Sequence, residues 1–229
     1  MNNLFKQFES KFDELKELEQ DELPRSLRLF NIRFRLAIDI DISFKGKMSL
    51  TKSKEVRDTY ILVIQLMEIW NAYEAFMHFA VEVGTHVAKK ASKSKIYSQA
   101  FLTTVGSMPV FFDTLSWLKS EFAKKNTFER DFELYVRRIE EDAHLSGPLK
   151  DDALSVLAYL KGEKTISGIE LISLIYAERN MYYHNGETAK MGMTYQNRKL
   201  LIGKYRDTLV LHMLKLAIFV IDEQISNCK

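Results

Sequence analysis

A chain of 229 residues, 46% hydrophobic and 28% charged, is long enough to bury a substantial core, and with only nine Gly and three Pro it is poor in turn formers. That balance favours helices over a sandwich or barrel. A net charge of +2 excludes a global nucleic-acid field. The single cysteine, Cys228, excludes an intrachain disulfide and a thiolate metal cluster, as expected of a reducing cytoplasm.

The first helix is expected over 3–22, where Phe5, Phe8, Phe12, Leu15 and Leu18 recur three and four residues apart before Pro24 stops it. This segment is acidic and amphipathic, unlike a signal or transit peptide. The next stretch resists a helical reading. Phe30, Ile32, Phe34, Leu36, Ile38, Ile40, Ile42 and Phe44 alternate with mainly polar residues, which is a strand signal. No other segment alternates to pair with it, and a lone strand leaves its backbone groups unsatisfied. A short β-strand around 30–44 and a helix both stay open, and a strand has the option of pairing with its own copy.

Residues 45–57 read as a basic connector, and a long helix follows over about 58–90. Its apolar window from 60 to 83 is interrupted by Glu68, Asn71, Glu74, His78 and Glu82, which share a sector of roughly 120°. A membrane span does not tolerate that many acids, so a soluble cytoplasmic protein is expected. After a Lys/Ser-rich break at 91–95, a helix begins near Pro109 and runs to about 125. Thr127 starts another, with Phe128, Phe132, Tyr135 and Ile139 on one face and Ser146-Gly147-Pro148 ending it. A short helix over 149–161 closes at Gly162. The last helix spans about 195–226 and is apolar nearly all round between Leu209 and Ile221, which implies burial or a subunit interface.

Between these two lies the densest polar cluster. Ser167 and Glu170 have capping-box spacing, Ile169, Ile172, Leu174, Ile175 and Tyr176 form an apolar body, and Arg179-Asn180-Met181-Tyr182-Tyr183-His184 leads into an Asn185-Gly186 turn. Arg followed by Asn, then three residues, then His resembles the signature of the HEPN superfamily, in which four to six residues separate Arg from His. The resemblance is most specific over about 165–225. It implies an all-α bundle with the motif between its last two core helices, and for many members metal-independent RNA cleavage in toxin–antitoxin, phage-defence or RNA-processing systems. Arg206 with His212, and Arg137 or Arg138 with His144, satisfy the spacing too. The Arg179 match alone has Asn beside Arg, a capped helix before it and a Gly turn after it. His144, before Ser146-Gly147-Pro148, reads as a helix C-terminal residue.

The residue types suit cleavage by the 2′-hydroxyl. An imidazole titrating near neutrality serves as base or acid, and a guanidinium matches phosphate oxygens in a bidentate fork. Asn180 and His184, four apart, share a helical face, so the amide is in place to orient the ring. Arg179 and His184, five apart, diverge by about 140° and would flank a cleft. One protomer offers one candidate imidazole for two proton transfers, and the homodimer implied by the resemblance supplies a second.

Blander readings stand beside this one. Arg179 and His184 pair with carboxylates and carbonyls in a salt-bridged helix end, and Tyr182 and Tyr183 are core or interface aromatics. Glu74 is a solvated acid or a partner of Arg179; His78 is a structural histidine. His86 and the lysines at 45–54 and 89–95 are solvated surface or extra phosphate contacts, and residues 190–206, with five Lys/Arg, are a candidate guide for RNA. No P-loop, GxGxxG, HExxH or Cys/His metal spacing is present, so no metal or cofactor is expected.

The expectation is therefore an all-α antiparallel bundle, one HEPN-like domain over 1–229 with the N-terminal helix and 25–57 as extensions. Arg179 and His184 are its catalytic residues and Asn180 supports them; RNA, a second copy and an antitoxin or other regulatory protein are its partners. The rivals are a non-catalytic module binding nucleotide, RNA or protein, and a purely structural helical adaptor.

Overall fold

The computed structural model describes residues 2–19, 23–43, 53–82, 109–124, 126–185 and 190–229, apart from the side chains of residues 81–82 and 183–185. Every regular element among them is a helix: α1 (Asn2–Leu18), α2 (Arg25–Asp39), α3 (Lys54–Glu82), α4 (Pro109–Ala123), α5 (Thr127–Glu141), α6 (Gly147–Lys161), α7 (Gly168–Asn185) and α8 (Tyr195–Cys228). No helix among the described residues is long and apolar enough to cross a membrane. The chain packs as two compact units, and it passes between them twice inside the long helices, at 67–68 in α3 and 206–207 in α8.

The first unit comprises 1–40, 68–106 and 207–229. Phenylalanines organise its core: Phe8 meets Phe30 and Phe34 edge-on with centroids 5.8 and 5.9 Å apart, and Phe30 lies 5.2 Å from Phe76 of α3. The stretch that alternates with period two is helical as far as Asp39, not a strand; residues 40–43 have no regular structure and Phe44 lies outside the described residues. Helix α2 buries Leu27, Phe30, Phe34 and Ala37 on one side and leaves Leu29, Ile32, Leu36 and Ile38 exposed. At about 100° per residue, apolar residues two apart fall on nearly opposite faces, so a helix that is apolar on both sides mimics a strand. Pro24 does not end α1 but opens α2, with its carbonyl accepting the Arg28 N–H at 3.1 Å; a missing N–H costs nothing at a helix start.

The apolar run on α8 is mostly spent within the chain. Leu209, Val210, Met213, Leu214, Leu216, Ala217, Ile218, Val220 and Ile221 are buried, and Phe219 alone among them is exposed. His212 is buried with them, its ring 5.6 Å from that of Tyr73. Burial pushes its pKa down to about 3, so it is neutral in the fold. In the unfolded chain it regains an ordinary value, and protonation below about pH 6.5 favours unfolding. Stability should drop by about 2 kcal/mol between pH 7 and pH 5 through this residue alone. Melting scans of His212→Gln over that range are expected to show a shallower fall than wild type; parallel curves would contradict this assignment.

The second unit comprises 41–67 and 107–206. Helix α4 touches α5, α6 and α7, while α6 packs on both α5 and α7. Local signals set the ends of these helices. Asn126 Oδ1 accepts the Phe128 N–H at 2.8 Å to cap α5. Pro148 lies in the first turn of α6, and Gly162, in the left-handed region at φ 81°, closes that helix. Gly168 is required for a different reason. A Cβ there would sit 2.9 Å from both Cβ and Cγ of Phe111, so only glycine lets the start of α7 approach α4 this closely. Gly168→Ala should cost about 1–3 kcal/mol through overpacking, read as a melting temperature several degrees lower. An unchanged melting temperature would show that Phe111 gives way freely.

Candidate functional site at the end of α7

Helix α7 packs against α4 and α6 in the second unit. Leu171, Ile172, Leu174, Ile175, Ala177 and Met181 are all buried. Its start is the predicted capping box: Ser167 Oγ accepts the Ile169 N–H at 3.2 Å, and Glu170 Oε2 accepts the Ser167 N–H at 3.0 Å. The helix runs through the polar cluster as far as Asn185; the expected turn at Gly186 lies outside the described residues.

Two neighbouring charges on α7 face different surroundings. Glu178 turns inward and is fully buried, pairing with the equally buried Arg198 of α8. Arg198 Nη2 also lies 2.9 Å from Met191 Sδ, and its guanidinium stands 5.3 Å from the Tyr135 ring centroid. Burial alone would lower the Arg198 pKa, but Glu178 beside it holds it above its ordinary value, so Arg198 stays charged. Burial pushes the Tyr135 and Tyr205 hydroxyls well up, with Tyr205 and Glu178 adding to the rise at Tyr135 and Glu178 adding to it at Tyr205, and both stay protonated. Met191 is held at φ 42°, a conformation that side chains rarely adopt, within a turn closed by Met193 N–H donating to the Lys190 carbonyl at 2.9 Å.

Arg179, about 100° further round the helix, is half-buried, and its Nη1 donates to Asn180 Oδ1 at 3.0 Å. The amide expected to orient His184 therefore holds the arginine. His184 lies in the last turn of α7, one turn beyond Asn180, and its side chain is outside the described residues, as is that of Tyr183. Tyr182 is half-buried, edge-on to Tyr60 at 6.4 Å, in keeping with a packing aromatic. Glu74 accepts a hydrogen bond from Trp70 Nε1 at 2.9 Å, and His78 is exposed on α3. His144 is also exposed, its N–H donating to Asp142 Oδ1 at 2.8 Å just beyond the end of α5. His86 and the lysines at 89–95 lie outside the described residues.

A second buried anchor fixes the start of α8. Asp131 of α5 accepts the Thr194 N–H at 2.7 Å and the Asn197 amide at 2.9 Å, and that amide also reaches Thr127 at 3.1 Å. Burial alone would raise the Asp131 pKa, but donors from Thr194, Asn197 and Arg130 outweigh it and hold the carboxyl below its ordinary value. Much of the basic stretch at 190–206 is engaged in this framework. Arg198 is buried, Lys199 lies 3.4 Å from Asp58, Lys204 stands over the Trp117 ring at 5.7 Å, and Arg206 donates to Gln65 at 3.0 Å. Its charges are thus largely spoken for by this chain's own groups.

The buried Glu178–Arg198 pair was not singled out by motif, yet it left a signal. Glu178 occupies the register of Leu171, Leu174 and Ile175, and Arg198 that of Leu201, Ile202 and Tyr205. Opposite charges standing in two apolar stripes mark a buried pair. Among the described residues, no group of three or more His, Cys, Asp or Glu is placed to hold a metal. Comparison of the chain with protein-family models, with curated proteins and with solved structures finds no match.

Proposed function

We propose that the protein is a metal-independent endoribonuclease of HEPN type, acting in the cytoplasm as a homodimer, with Arg179 and His184 catalytic and Asn180 supporting. One observation carries this reading. A half-exposed guanidinium, held by the amide next to it, stands one turn before an imidazole-bearing residue at the end of a rigid buried helix. In the reaction, one imidazole takes the 2′-hydroxyl proton as that oxygen bonds to phosphorus. Arg179 meets the charge on the phosphorane. The P–O5′ bond breaks, the 5′ oxygen receives a proton from the second copy's imidazole, and a 2′,3′-cyclic phosphate remains. Asn180 fixes the guanidinium by its side-chain oxygen. A toxin–antitoxin or phage-defence role, with an antitoxin or other regulatory protein as partner, belongs to the same proposal.

The rival is a non-catalytic module binding RNA, nucleotide or protein, and one observation favours it: the basic stretch after α7 is largely tied to this chain's own groups. Incubating the purified protein with RNA in EDTA separates the two. Fragments ending in 2′,3′-cyclic phosphate and 5′-hydroxyl support the nuclease. RNA that is bound but left intact supports the binding module.

A further inference from the structure

Helix α2 carries apolar residues on the side facing away from its own core. Leu29, Ile32 and Leu36 are 43%, 56% and 62% exposed, and the last two are the most exposed large hydrophobic residues described. With Arg25 and Asp39 they form a stripe spaced four, three, four and three residues apart, the seam of a two-helix pair. The five positions fall within a sector of about 80°, opposite Leu27, Phe30, Phe34 and Ala37, which anchor α2 in the first unit. A face of this kind on a rigidly held helix is an interaction surface in search of a cover.

Charge order selects the cover. Arg25 and Arg28 stand exposed at the N-terminal end of the stripe and Asp39 at its C-terminal end, while Arg33 and Arg35 flank it half-buried, Arg35 held by Glu9 and Asn31. An anionic membrane would attract the arginines and repel Asp39, and a uniformly acidic helix would meet the same conflict. A helix with the reverse order satisfies both ends, and α2 of a second copy, run antiparallel, is one.

We propose that two copies of this chain associate through an antiparallel α2 pair. Leu29, Ile32 and Leu36 interdigitate about a two-fold axis, and Arg25 and Arg28 of each copy stand beside Asp39 of the other. The proposal goes beyond the nuclease reading and does not rest on it. One helix face of 15 residues covers less than the roughly 1,200–2,000 Å² of a standard interface, so the pair forms reversibly and dissociates on dilution.

Sedimentation velocity on the full chain, from micromolar to submillimolar concentration, tests this. The mass should rise from 26.7 kDa toward twice that value. Leu36→Glu should weaken the association by roughly tenfold or more and leave the helical circular dichroism unchanged, because Leu36 is exposed. Arg25→Asp and Asp39→Arg should each weaken it, and the combined variant should restore it, since the swap reverses both ends of an antiparallel pair. A wild type that stays monomeric throughout overturns the proposal, and so does a Leu36→Glu protein that pairs as wild type does. Failure of the combined variant to recover overturns the antiparallel arrangement. Monomeric protein that binds phosphatidylserine vesicles through Leu36 makes a lipid surface the occupant instead.

Discussion

RNA cleavage by the His184→Ala and Arg179→Ala variants is expected to fall by roughly 10²–10⁴-fold each, the usual contribution of a positioned acid, base or cation. The two losses have different origins. On the proposed mechanism, His184→Ala removes the group that would move the proton, so its residual rate should lose the pH dependence of the wild type, and Arg179→Ala removes the cation that would meet the phosphorane. Lysine at that position should restore little, because it lacks the planar fork. Asn180→Ala should act through Arg179, whose Nη1 it holds at 3.0 Å, and cost less than either. Folding serves as the control. Arg179 is half-exposed, so its removal should shift stability by no more than about 1 kcal/mol. Variants that unfold far below wild type would transfer the cluster to the salt-bridged, structural reading.

Breaking the Glu178–Arg198 pair should have the largest effect on stability. Both side chains are fully buried, so removing either one strands the other's charge away from water. Arg198→Met and Glu178→Leu are each expected to cost about 3–5 kcal/mol, read as a lower urea midpoint. The two substitutions together should recover much of that loss, because an apolar pair of similar volume needs no charge compensation. Single variants within about 0.5 kcal/mol of wild type would mean that the survivor finds water or a new partner. The pair also matters for the site. It fixes α7 one residue before Arg179, so the inward charge sets the place from which the outward one projects.

The parts of the fold that were legible were those written in local chemistry. The Ser167–Glu170 box and Gly162 at the end of α6 satisfy backbone groups within a few residues, Pro109 opens α4 where no N–H is needed, and each stands where the sequence indicates. What misled was a helix with two apolar faces. Leu29, Ile32 and Leu36 follow the helical period as faithfully as Leu27, Phe30 and Phe34 do, but the sum of the two stripes alternates. A single face is read from periodicity only when the other is polar. Two of the four crossings between the units lie inside α3 and α8, where there is no linker to detect. In the candidate site, Arg179, Asn180 and His184 share α7, as the helical reading of that stretch has it. The role of Asn180 depended on which neighbour its amide meets, and sequence spacing permitted both.

The measurement that bears most directly on the nuclease reading is cleavage, in EDTA, of an RNA against the same strand carrying a single 2′-deoxy nucleotide at the cut site. The account predicts that the all-ribose strand is cut to a 2′,3′-cyclic phosphate, that the substituted strand resists because its nucleophile is gone, and that His184→Ala cuts neither. Equal cutting of both strands, a requirement for magnesium, or undiminished cleavage by His184→Ala would contradict it.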